Sequence, residues 1–512
     1  MRYLQSPVRK ARHDIFKELT NLGFESNPEN LVQMLEEIPY KVVKDLPVFR
    51  DSIYREREVA RERVRLSLGM TLMPENRATN LTEGIEYSNV DEKYYEPPLM
   101  QVIPSACDIC DEKKYTVTDR CRGCVAHPCH YVCPRDAISM VNGKSVIDQS
   151  KCIKCGRCKE ACPYDAIAKQ ERPCVRACGV NAIKKDDKGR AWIDPDMCVS
   201  CGMCMVSCPF GAISDKSQVF QLSKAISSGQ KVTAIVAPAF IGQFGKKVGK
   251  VELRQALLDL GFYDMAEVAY GADVGAIAEA THYAEAVETG ELPFLLTSCC
   301  PSWAMLAKIY FPTMIDNISR ELTPMVATAR RVKKENPDTK VVFVGPCAAK
   351  KLEASRRSVR SDVDFVITFE ELQAMFDARG VELIEGEDLT EVDTLDDRSE
   401  VFNVENSGAG RGYAVAGGVA KAIEECLNEY YPDATVNIHH AEGLADCKKI
   451  LQLAKAGKLT HCLIEGMGCP GGCVAGAGTN IQPEDAMKIL ASYVKKTKKQ
   501  VPPLEYKEIH LE

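Results

Sequence analysis

The chain has 512 residues, with 65 basic and 72 acidic side chains and a formal net charge of -7. This mildly acidic balance excludes a global attraction to nucleic acid or anionic membranes, and no stretch approaches the ~18 uninterrupted apolar residues of a membrane span. Residues 1–24 contain no apolar run of signal-peptide length. We therefore expect a cytoplasmic protein without nucleic-acid or membrane partners.

The 24 cysteines are unevenly distributed. None precedes Cys107, sixteen lie between Cys107 and Cys208, and eight lie between Cys299 and Cys473. In a reducing compartment, clustered cysteines bind metal more often than they form disulfides. The distribution predicts four segments: a helical N-terminal extension of unknown function (1–95), a cysteine-rich region (96–218), a second cysteine-bearing domain (219–482) and a C-terminal helix or tail (483–512).

In chain order, the segment DSIYREREVARERVRLSLGM (51–70) is rich in helix formers and predicts a helix. A repeated unit follows, in which CxxxCP or CxxxCG precedes Ala-Ile by two residues. Its copies end at Ile138, Ile167, Ile183 and Ile213. Such regular repetition predicts duplicated α+β modules that resemble bacterial ferredoxins, each able to hold two 4Fe-4S clusters.

Two ungapped cysteine runs match the bacterial ferredoxin pattern, in which three closely spaced thiolates hold one cluster and a fourth, before proline, reaches the neighbouring cluster. A third run is stretched by two residues, and the fourth repeat keeps only Cys174 and Cys178. The ungapped runs are Cys152, Cys155, Cys158, Cys162 and Cys198, Cys201, Cys204, Cys208. The stretched run is Cys121, Cys124, Cys129, Cys133.

An upstream CxxC pair, Cys107 and Cys110, completes the fourth repeat if residues 111–173 are inserted into a split motif. We therefore predict four nested 4Fe-4S clusters. Their ligand sets are Cys121, Cys124, Cys129 with Cys162; Cys152, Cys155, Cys158 with Cys133; Cys198, Cys201, Cys204 with Cys178; and Cys107, Cys110, Cys174 with Cys208. Zinc ribbons are the alternative because CxxC pairs also suit zinc, but the prolines after the full runs favour iron–sulfur clusters.

After about residue 219, apolar runs alternate with helical segments. The predicted strands are KVTAIVAPAF, MAEVAYGADV, PFLLTSCC, KVVFVGPC, DVDFVITF, ATVNIHHAEG and HCLIEGMGC. This alternation predicts an α/β domain with parallel strands and covering helices. Three strands lead into cysteine segments, TSCCPSW (297–303), GPCAAKK (345–351) and EGMGCPGGC (465–473), which parallel strand ends would gather in one crevice. Four of their five thiols suffice for a further cluster.

These three segments resemble the signature motifs TSCCPxW, xPCxxKK and ExMxCxxGC of the FeFe-hydrogenases. The resemblance implies an H-cluster, a 4Fe-4S cubane joined to a diiron centre with carbonyl, cyanide and azadithiolate ligands. By motif position, Cys300, Cys347, Cys469 and Cys473 hold the cubane, and Cys473 bridges to the diiron centre. Cys299 then becomes the thiol that exchanges protons with the azadithiolate amine.

Further residues acquire roles by the same resemblance. Lys350 grips an iron-bound cyanide, and Met467 packs beside the diiron unit. Other positions that line the cofactor are Ala237, Pro238, Thr323, Pro324 and Tyr413. Ordinary structural roles are the alternatives: a proline can end an element, a methionine can fill a core, and the run SGAGRGYAVAGG around Tyr413 can be a flexible turn. Lys351 is expected to be a surface charge, and Cys426, Cys447 and Cys462 are expected to be buried thiols.

Two departures from the best-studied branch are Gly345, where that branch has methionine, and Thr323, where it has serine. The branch's proton path places the next groups at Glu279, Ser319, His282 and Ala286, of which the outer two differ. The inner path through Glu279 and Ser319 is therefore expected, whereas the exit passes through His282 or by another route.

The resemblance implies an enzyme that interconverts H2 with protons and electrons, with a ferredoxin-like carrier as partner and maturation enzymes that insert the diiron unit. Two alternatives were weighed. One is an H2-sensing relative, although sensors usually replace the relay thiol. The other is a hydrogenase-like iron–sulfur assembly factor, against which Lys350, Met467 and the intact TSCCP argue.

Overall fold

The computed structural model describes residues 6–25, 28–44, 49–90, 94–386, 399 and 401–509. Within them lie an N-terminal group of helices, a cysteine-rich region of short antiparallel strand pairs and an α/β region with two parallel sheets. No described helix combines the length and apolar character that crossing a bilayer requires.

The N-terminal group packs around its own apolar core, to which Ile15, Leu19, Leu35 and Val64 contribute. Its helices are α1 (Pro7–Glu25), α2 (Leu31–Val42) and α3 (Ile53–Ser67). The helix predicted over 51–70 is α3, which begins where the Ser52 side chain accepts a hydrogen bond from the Tyr54 amide.

The repeated unit of the cysteine-rich region forms a short helix followed by a strand, and the strand begins at the isoleucine each time. The elements are β1 (Gln101–Val102), β2 (Lys114–Val117), α4 (Pro128–Tyr131), β3 (Ile138–Val141), β4 (Lys144–Ile147), α5 (Arg157–Ala161), β5 (Ile167–Gln170), α6 (Pro173–Ala177), β6 (Ile183–Lys185), β7 (Ala191–Ile193), α7 (Met203–Ser207) and β8 (Ile213–Ser214).

Strand pairing in this region is nested. β3 pairs with β4 inside the pair formed by β2 and β5, and this whole unit lies between β1 and β8, which also pair with each other. β6 and β7 form the fourth antiparallel pair. The unit from β2 to β5 is therefore inserted between the two halves of a second unit, as the split cysteine motif predicts.

The α/β region alternates strands and helices. Its elements are α8 (Val219–Ser227), β9 (Val232–Val236), α9 (Lys250–Leu260), β10 (Asp264–Glu267), α10 (Ala269–His282), β11 (Phe294–Leu296), α11 (Pro301–Tyr310), α12 (Pro324–Glu335), β12 (Lys340–Gly345), α13 (Ala349–Ala354), β13 (Phe365–Thr368), α14 (Phe369–Arg379), α15 (Gly408–Gly412), α16 (Gly418–Tyr430), β14 (Ile438–Glu442), α17 (Leu444–Lys455), β15 (Cys462–Met467) and α18 (Pro483–Lys496).

Two sheets, ordered β10-β9-β12-β13 and β11-β15-β14, are parallel throughout. The predicted parallel strands are thus present, and β9 and β15 are buried along their whole length because helices cover both faces. The predicted strand MAEVAYGADV is wrong in its second half, since β10 ends at Glu267 and α10 begins at Ala269. The proposed segment boundaries stay predictions.

The N-terminal group also packs against the α/β region, where α1 contacts α8 and α14. Arg12 of α1 is buried at this contact, with its Nη2 3.0 Å from Glu370 Oε2 and 3.9 Å from Asp215 Oδ1. Asp215 lies just after β8 of the cysteine-rich region, and Glu370 lies in α14 of the α/β region. Arg12 therefore joins the N-terminal group to both of the other regions. Buried charges of this kind are stable only when they are paired.

Candidate active site

Three parallel strands bring the cysteine segments to one crevice. Cys299 and Cys300 follow β11, Cys347 follows β12, and Cys469 follows β15. β11 and β15 are neighbours in one parallel sheet, so their carboxyl ends share an edge of the kind at which open α/β folds form their sites, whereas β12 comes from the other sheet. The segments also touch directly, since the Gly468 amide donates a hydrogen bond to Cys300 Sγ at 3.4 Å.

Cys473 reaches the same crevice through a glycine turn. Gly471 and Gly472 have φ angles of 88° and 86°, a left-handed region that favours glycine. A Cβ on Gly472 would also collide with the backbone nitrogen of Ala416. The two glycines of CPGGC therefore allow the chain to turn back toward the pocket.

Four thiols share this buried pocket. Burial raises the pKa of Cys347 to about 11, and the charge of nearby Cys300 acts in the same direction. Burial likewise raises the pKa of Cys469 and Cys473 well above the ordinary range, with the other cysteines of the set as further causes. Such thiols become thiolates together only if a positive charge is bound among them.

Lys350 lies beside these thiols and is 8% exposed. Its Nζ is 2.8 Å from Glu353 Oε2, and Glu353 Oε1 accepts a hydrogen bond from Thr323 Oγ1 at 2.6 Å. Burial disfavours the ammonium, but the Glu353 carboxylate outweighs this and raises the pKa of Lys350. The lysine is thus held as a cation at the edge of the pocket, with Cys347 and Cys299 among the groups that its charge reaches.

Lys351 is not the surface charge that the sequence predicts. It is fully buried, and its Nζ donates to Asp215 Oδ2 at 2.8 Å, to the Lys216 carbonyl at 2.8 Å and to Glu371 Oε1 at 2.9 Å. Successive residues of α13 point about 100° apart, so Lys350 faces the crevice while Lys351 faces the junction with the cysteine-rich region.

A buried carboxyl, that of Glu279, lies near the fifth thiol of the crevice, that of Cys299. Burial raises the pKa of Cys299 well above the ordinary range, and the next contribution is the charge of Glu279. Burial raises the pKa of Glu279 to about 7, against which a hydrogen bond from Ser319 acts. Tyr413 is buried near Glu279 and Cys299, and its hydroxyl has no hydrogen-bond partner among the described residues.

The outer positions of the predicted proton path do not continue this arrangement. His282 is the last residue of α10 and is half-buried, and its Nδ1 lacks a hydrogen-bond partner within the described part of the chain. Ala286 is buried in a π-helical turn, Tyr283–Val287, and carries no titratable group. Ser319 therefore acts on the Glu279 carboxyl, whereas no hydrogen bond from His282 to either residue is present among the described residues.

The remaining predicted residues surround the crevice. Ala237 and Pro238 follow β9, Thr323 and Pro324 begin α12, and Met467 is 2% exposed in a core that Cys299 and Cys300 border. Tyr413 is the first residue of the turn that joins α15 to α16, and its side chain is buried there.

The absence of a side chain at Gly345 has a local cause. A Cβ there would lie 2.5 Å from the Phe343 ring and 3.1 Å from the Ala237 Cβ. Phe343 thus fills the space that a larger residue at position 345 would need.

Three acidic residues near the site were not singled out from the sequence. Glu353 is ion-paired with Lys350, which lies three residues before it on α13. This i, i+3 spacing of opposite charges could have indicated the pair from the sequence. Glu465 is buried and accepts hydrogen bonds from the Gly417 amide at 3.0 Å and the Ala420 amide at 2.9 Å, at the N-terminus of α16. Glu321, in the loop after Ser319, had no motif to mark it.

Two of the predicted relay sets each surround a small cavity. One cavity is lined by Cys121, Cys124, Cys129 and Cys162. The other is lined by Cys107, Cys110, Cys174 and Cys208. Both sets combine cysteines from separate repeats, as the nested arrangement predicts. No three His, Cys, Asp or Glu side chains of the described ranges are arranged to hold a single metal ion.

The other two sets are also close in space. Burial raises the pKa of Cys204 well above the ordinary range, and Cys201, Cys198 and Cys178 contribute through their charges. Burial raises the pKa of Cys158 to about 11, with Cys152 and Cys155 as further causes, and Cys133 packs in the same apolar cluster. The cysteines outside all sets, Cys426, Cys447 and Cys462, are buried as expected.

The cysteine-rich region meets the crevice at Cys201. The charge of this residue contributes to the raised pKa of Cys469, and Cys347 contributes to that of Cys201. At the adjacent Gly202, with φ 78°, a Cβ would lie 2.6 Å from the Ala477 Cβ. The backbones around two cysteine sets are therefore in close contact.

Comparisons with known proteins agree with this geometry. Residues 230–477 match the family model described as "Iron only hydrogenase large subunit, C-terminal domain", and residues 145–168 and 191–214 match "4Fe-4S binding domain". The chain is 30% identical to iron hydrogenase 1 of Clostridium pasteurianum over 409 residues, which cover 70% of this chain and 69% of that protein.

The periplasmic [Fe] hydrogenase large subunit of Nitratidesulfovibrio vulgaris is 28% identical and covers 66% of this chain, with 86% of its own length matched. Cytosolic iron-sulfur assembly component 3 of Bos taurus is 28% identical, over 40% of this chain and 50% of its own. A solved structure of the FeFe-hydrogenase of Chlamydomonas reinhardtii is 20% identical, with a TM-score of 0.40, over 53% of this chain and 87% of its own.

The fold and the sequence matches together define a hydrogenase-like iron–sulfur protein. The chain belongs to the FeFe-hydrogenase family.

Proposed function

We propose that this protein is an FeFe-hydrogenase that interconverts H2 with two protons and two electrons. One observation carries the proposal: the crevice collects four thiols for a cubane, a fifth thiol that is backed by a buried acid, and a lysine that is held as a cation. An iron–sulfur scaffold needs only the four thiols. The fifth thiol with its buried acid suits the movement of protons, and the lysine suits the binding of an anionic ligand.

The residues fit an H-cluster. The thiols of Cys300, Cys347, Cys469 and Cys473 lie in one pocket and would form the soft donor set of a 4Fe-4S cubane. Beyond the ion pair with Glu353, the Lys350 Nζ has no hydrogen-bond partner among the described residues, so further N–H donors remain for a bound ligand such as cyanide. When bound, the H-cluster supplies the site at which H2 is split heterolytically.

The chain's own residues then orient the cofactor and move protons. Glu353 fixes Lys350, and Met467 with the loop at Ala237 and Pro238 keeps the pocket apolar. When the cofactor is bound, the Cys299 thiol would hold or release a proton at its Sγ, and Glu279 would exchange that proton with it. A carboxyl whose pKa is about 7 both accepts and releases protons near neutral pH.

The four sets of relay cysteines are proposed to hold 4Fe-4S clusters that carry electrons to a ferredoxin-like carrier. The cluster on Cys198, Cys201, Cys204 and Cys178 would be the one next to the active site, because Cys201 adjoins Cys469. With the H-cluster cubane, this predicts about 20 iron atoms per chain before maturation enzymes add the diiron unit. A zinc-ribbon protein would instead contain zinc without the sulfide of the clusters.

Two other functions remain defined alternatives. The similarity to an iron–sulfur assembly component raises a non-catalytic role, and an H2 sensor is the second. Cys299 and the nearby buried Glu279 favour turnover, because neither storage of a cluster nor slow sensing needs a buried proton relay.

The test is maturation of the full chain under anaerobic conditions, followed by infrared spectroscopy and an assay of H2-dependent viologen reduction. We expect carbonyl and cyanide bands together with turnover. Cys299→Ser should keep the bands but lower turnover by about 10²-fold or more, since the first proton acceptor is lost. Cys426→Ser, at a buried thiol outside every set, is the matched control. Absence of the bands from wild-type protein would overturn the proposal.

A further inference from the structure

The proton route is complete on its inner side only. Ser319 is close enough to Glu279 to lower the pKa of its carboxyl, but Ala286 cannot carry a proton, and no hydrogen bond joins His282 to either residue in the described part of the chain. Glu279 is 4% exposed and Ser319 is also 4% exposed, so a further group must connect them to water.

Glu321 lies next to Ser319, where such a connecting group is needed. Its amide donates a hydrogen bond to Ser319 Oγ at 3.3 Å, and its carbonyl accepts one from Ser298 Oγ at 3.4 Å. Ser298 and Glu321 also act on the pKa of Glu279, because the Ser298 backbone lowers it and the charge of Glu321 raises it. The Glu321 backbone is thus hydrogen-bonded to Ser319 and Ser298, the two serines that act on Glu279.

Glu321 also reaches solvent. It is half-buried and lines an open cavity of about 570 Å³ between the end of α10, the loop before α12 and the C-terminal residues. The charged groups that face this cavity from the other elements are His282, Glu285, Arg320, Arg330 and Lys507. Glu321 can therefore exchange a proton with water in this cavity.

We propose that Glu321 is the proton-transfer residue between Ser319 and solvent. The proposal rests on the hydrogenase function proposed above. For an outgoing proton, the Glu279 carboxyl protonates Ser319 Oγ while the serine hydroxyl gives its own proton to the Glu321 carboxylate. Glu321 then releases this proton to water in the cavity. No electrons move, and the reverse sequence brings a proton in.

The test compares Glu321→Gln, which cannot accept a proton, with Glu321→Asp, which can. Glu285→Gln removes an exposed acid from the same cavity and is the matched control. Turnover is measured against pH and in D2O, and carbonyl and cyanide bands verify that the site is assembled. In protein without the diiron unit, an infrared pH titration follows the Glu279 carboxyl band, which Glu279→Gln identifies.

We expect Glu321→Gln to lower turnover by about 10²-fold, Glu321→Asp to recover most of it, and Glu285→Gln to match wild type. Loss of the Glu321 charge should also move the Glu279 titration to lower pH. Full turnover of Glu321→Gln with intact bands would overturn the proposal, as would a loss that follows His282→Gln instead. Wild-type protein without the bands would refute the hydrogenase function itself, but an unmoved Glu279 titration would still refute the placement of Glu321.

Discussion

Adjacent lysines meet different surroundings at positions 350 and 351. Lys350 contacts Glu353 at the edge of the thiol pocket, whereas Lys351 contacts Asp215 and Glu371 at a junction between regions. The motif PCAAKK marks the first lysine by resemblance, but nothing in the local sequence distinguishes a buried second lysine from an exposed one. The difference arises because α13 is packed on two sides, so each lysine is paired with its own carboxylates.

Glu353→Gln tests the pair with Lys350. Removal of one partner leaves a buried charge uncompensated, which we expect to lower the free energy of unfolding by about 3 kcal/mol in urea denaturation. Turnover should fall as well, because Lys350 is no longer held toward the pocket. Glu429→Gln, at an exposed position of α16, should change neither. Equal stability of the two variants would contradict a buried ion pair.

The buried Glu279 predicts a pH dependence of stability. Burial raises its pKa from 4.5 to about 7, so the folded state binds more protons than the unfolded state between these values. The resulting stabilisation is present in full below about pH 4.5 and is lost as pH rises through about 7. Urea denaturation between pH 5 and 8 should show a shallower fall with pH in Glu279→Gln than in wild type, by up to about 1.4 kcal/mol per pH unit. Parallel profiles would contradict a protonated, buried Glu279.

At the scale of elements, α1 belongs to the packed structure rather than to a detached extension. Sequence composition predicts its helical character but not its contacts with α8 and α14, because these depend on residues more than two hundred positions away. Arg12 shows the consequence, since its partners are Asp215, just after β8, and Glu370, in α14, which are far apart in the sequence.

Arg12→Met measures how much this contact contributes. The substitution removes one cation from a buried cluster in which Asp215 keeps Lys351 and Glu370 keeps Arg9, so we expect a loss of about 2 kcal/mol in urea denaturation. Lys10→Met, at an exposed position of the same helix, controls for the change in side-chain type. A loss no larger than in the Lys10 variant would show that the ion pairs of Arg12 add nothing to the docking of α1.

At the scale of the whole molecule, the nested strand pairs place the cysteine-rich region against the active-site crevice. The spacing of the cysteines predicts which repeats exchange ligands, and the cavities lined by mixed sets agree with it. The spacing does not predict which cluster adjoins the crevice. That depends on Gly202, whose backbone lies against Ala477.

Gly202→Ala should therefore impair electron transfer out of the active site without impairing the reaction with H2 itself. The added Cβ needs a shift at the contact, which we expect to slow H2-dependent viologen reduction. H/D exchange, which requires no electron exit, should be retained. Gly143→Ala is the matched control, because Gly143 has a similar φ of 76° but no atom within 4 Å of the added Cβ. Equal loss of both activities in Gly202→Ala would indicate a damaged active site instead.

The sequence by itself determined the parallel strands, the donor types and the grouping of cysteines, because apolar runs and ligand spacings act over short stretches of chain. It also pointed to Cys299, Glu279 and Ser319 through resemblance. Only the tertiary structure decided the partners of Lys351, the docking of α1 and the position of Glu321 beside Ser319. Burial and pairing of a charge depend on which distant elements surround it, and no local pattern contains that information.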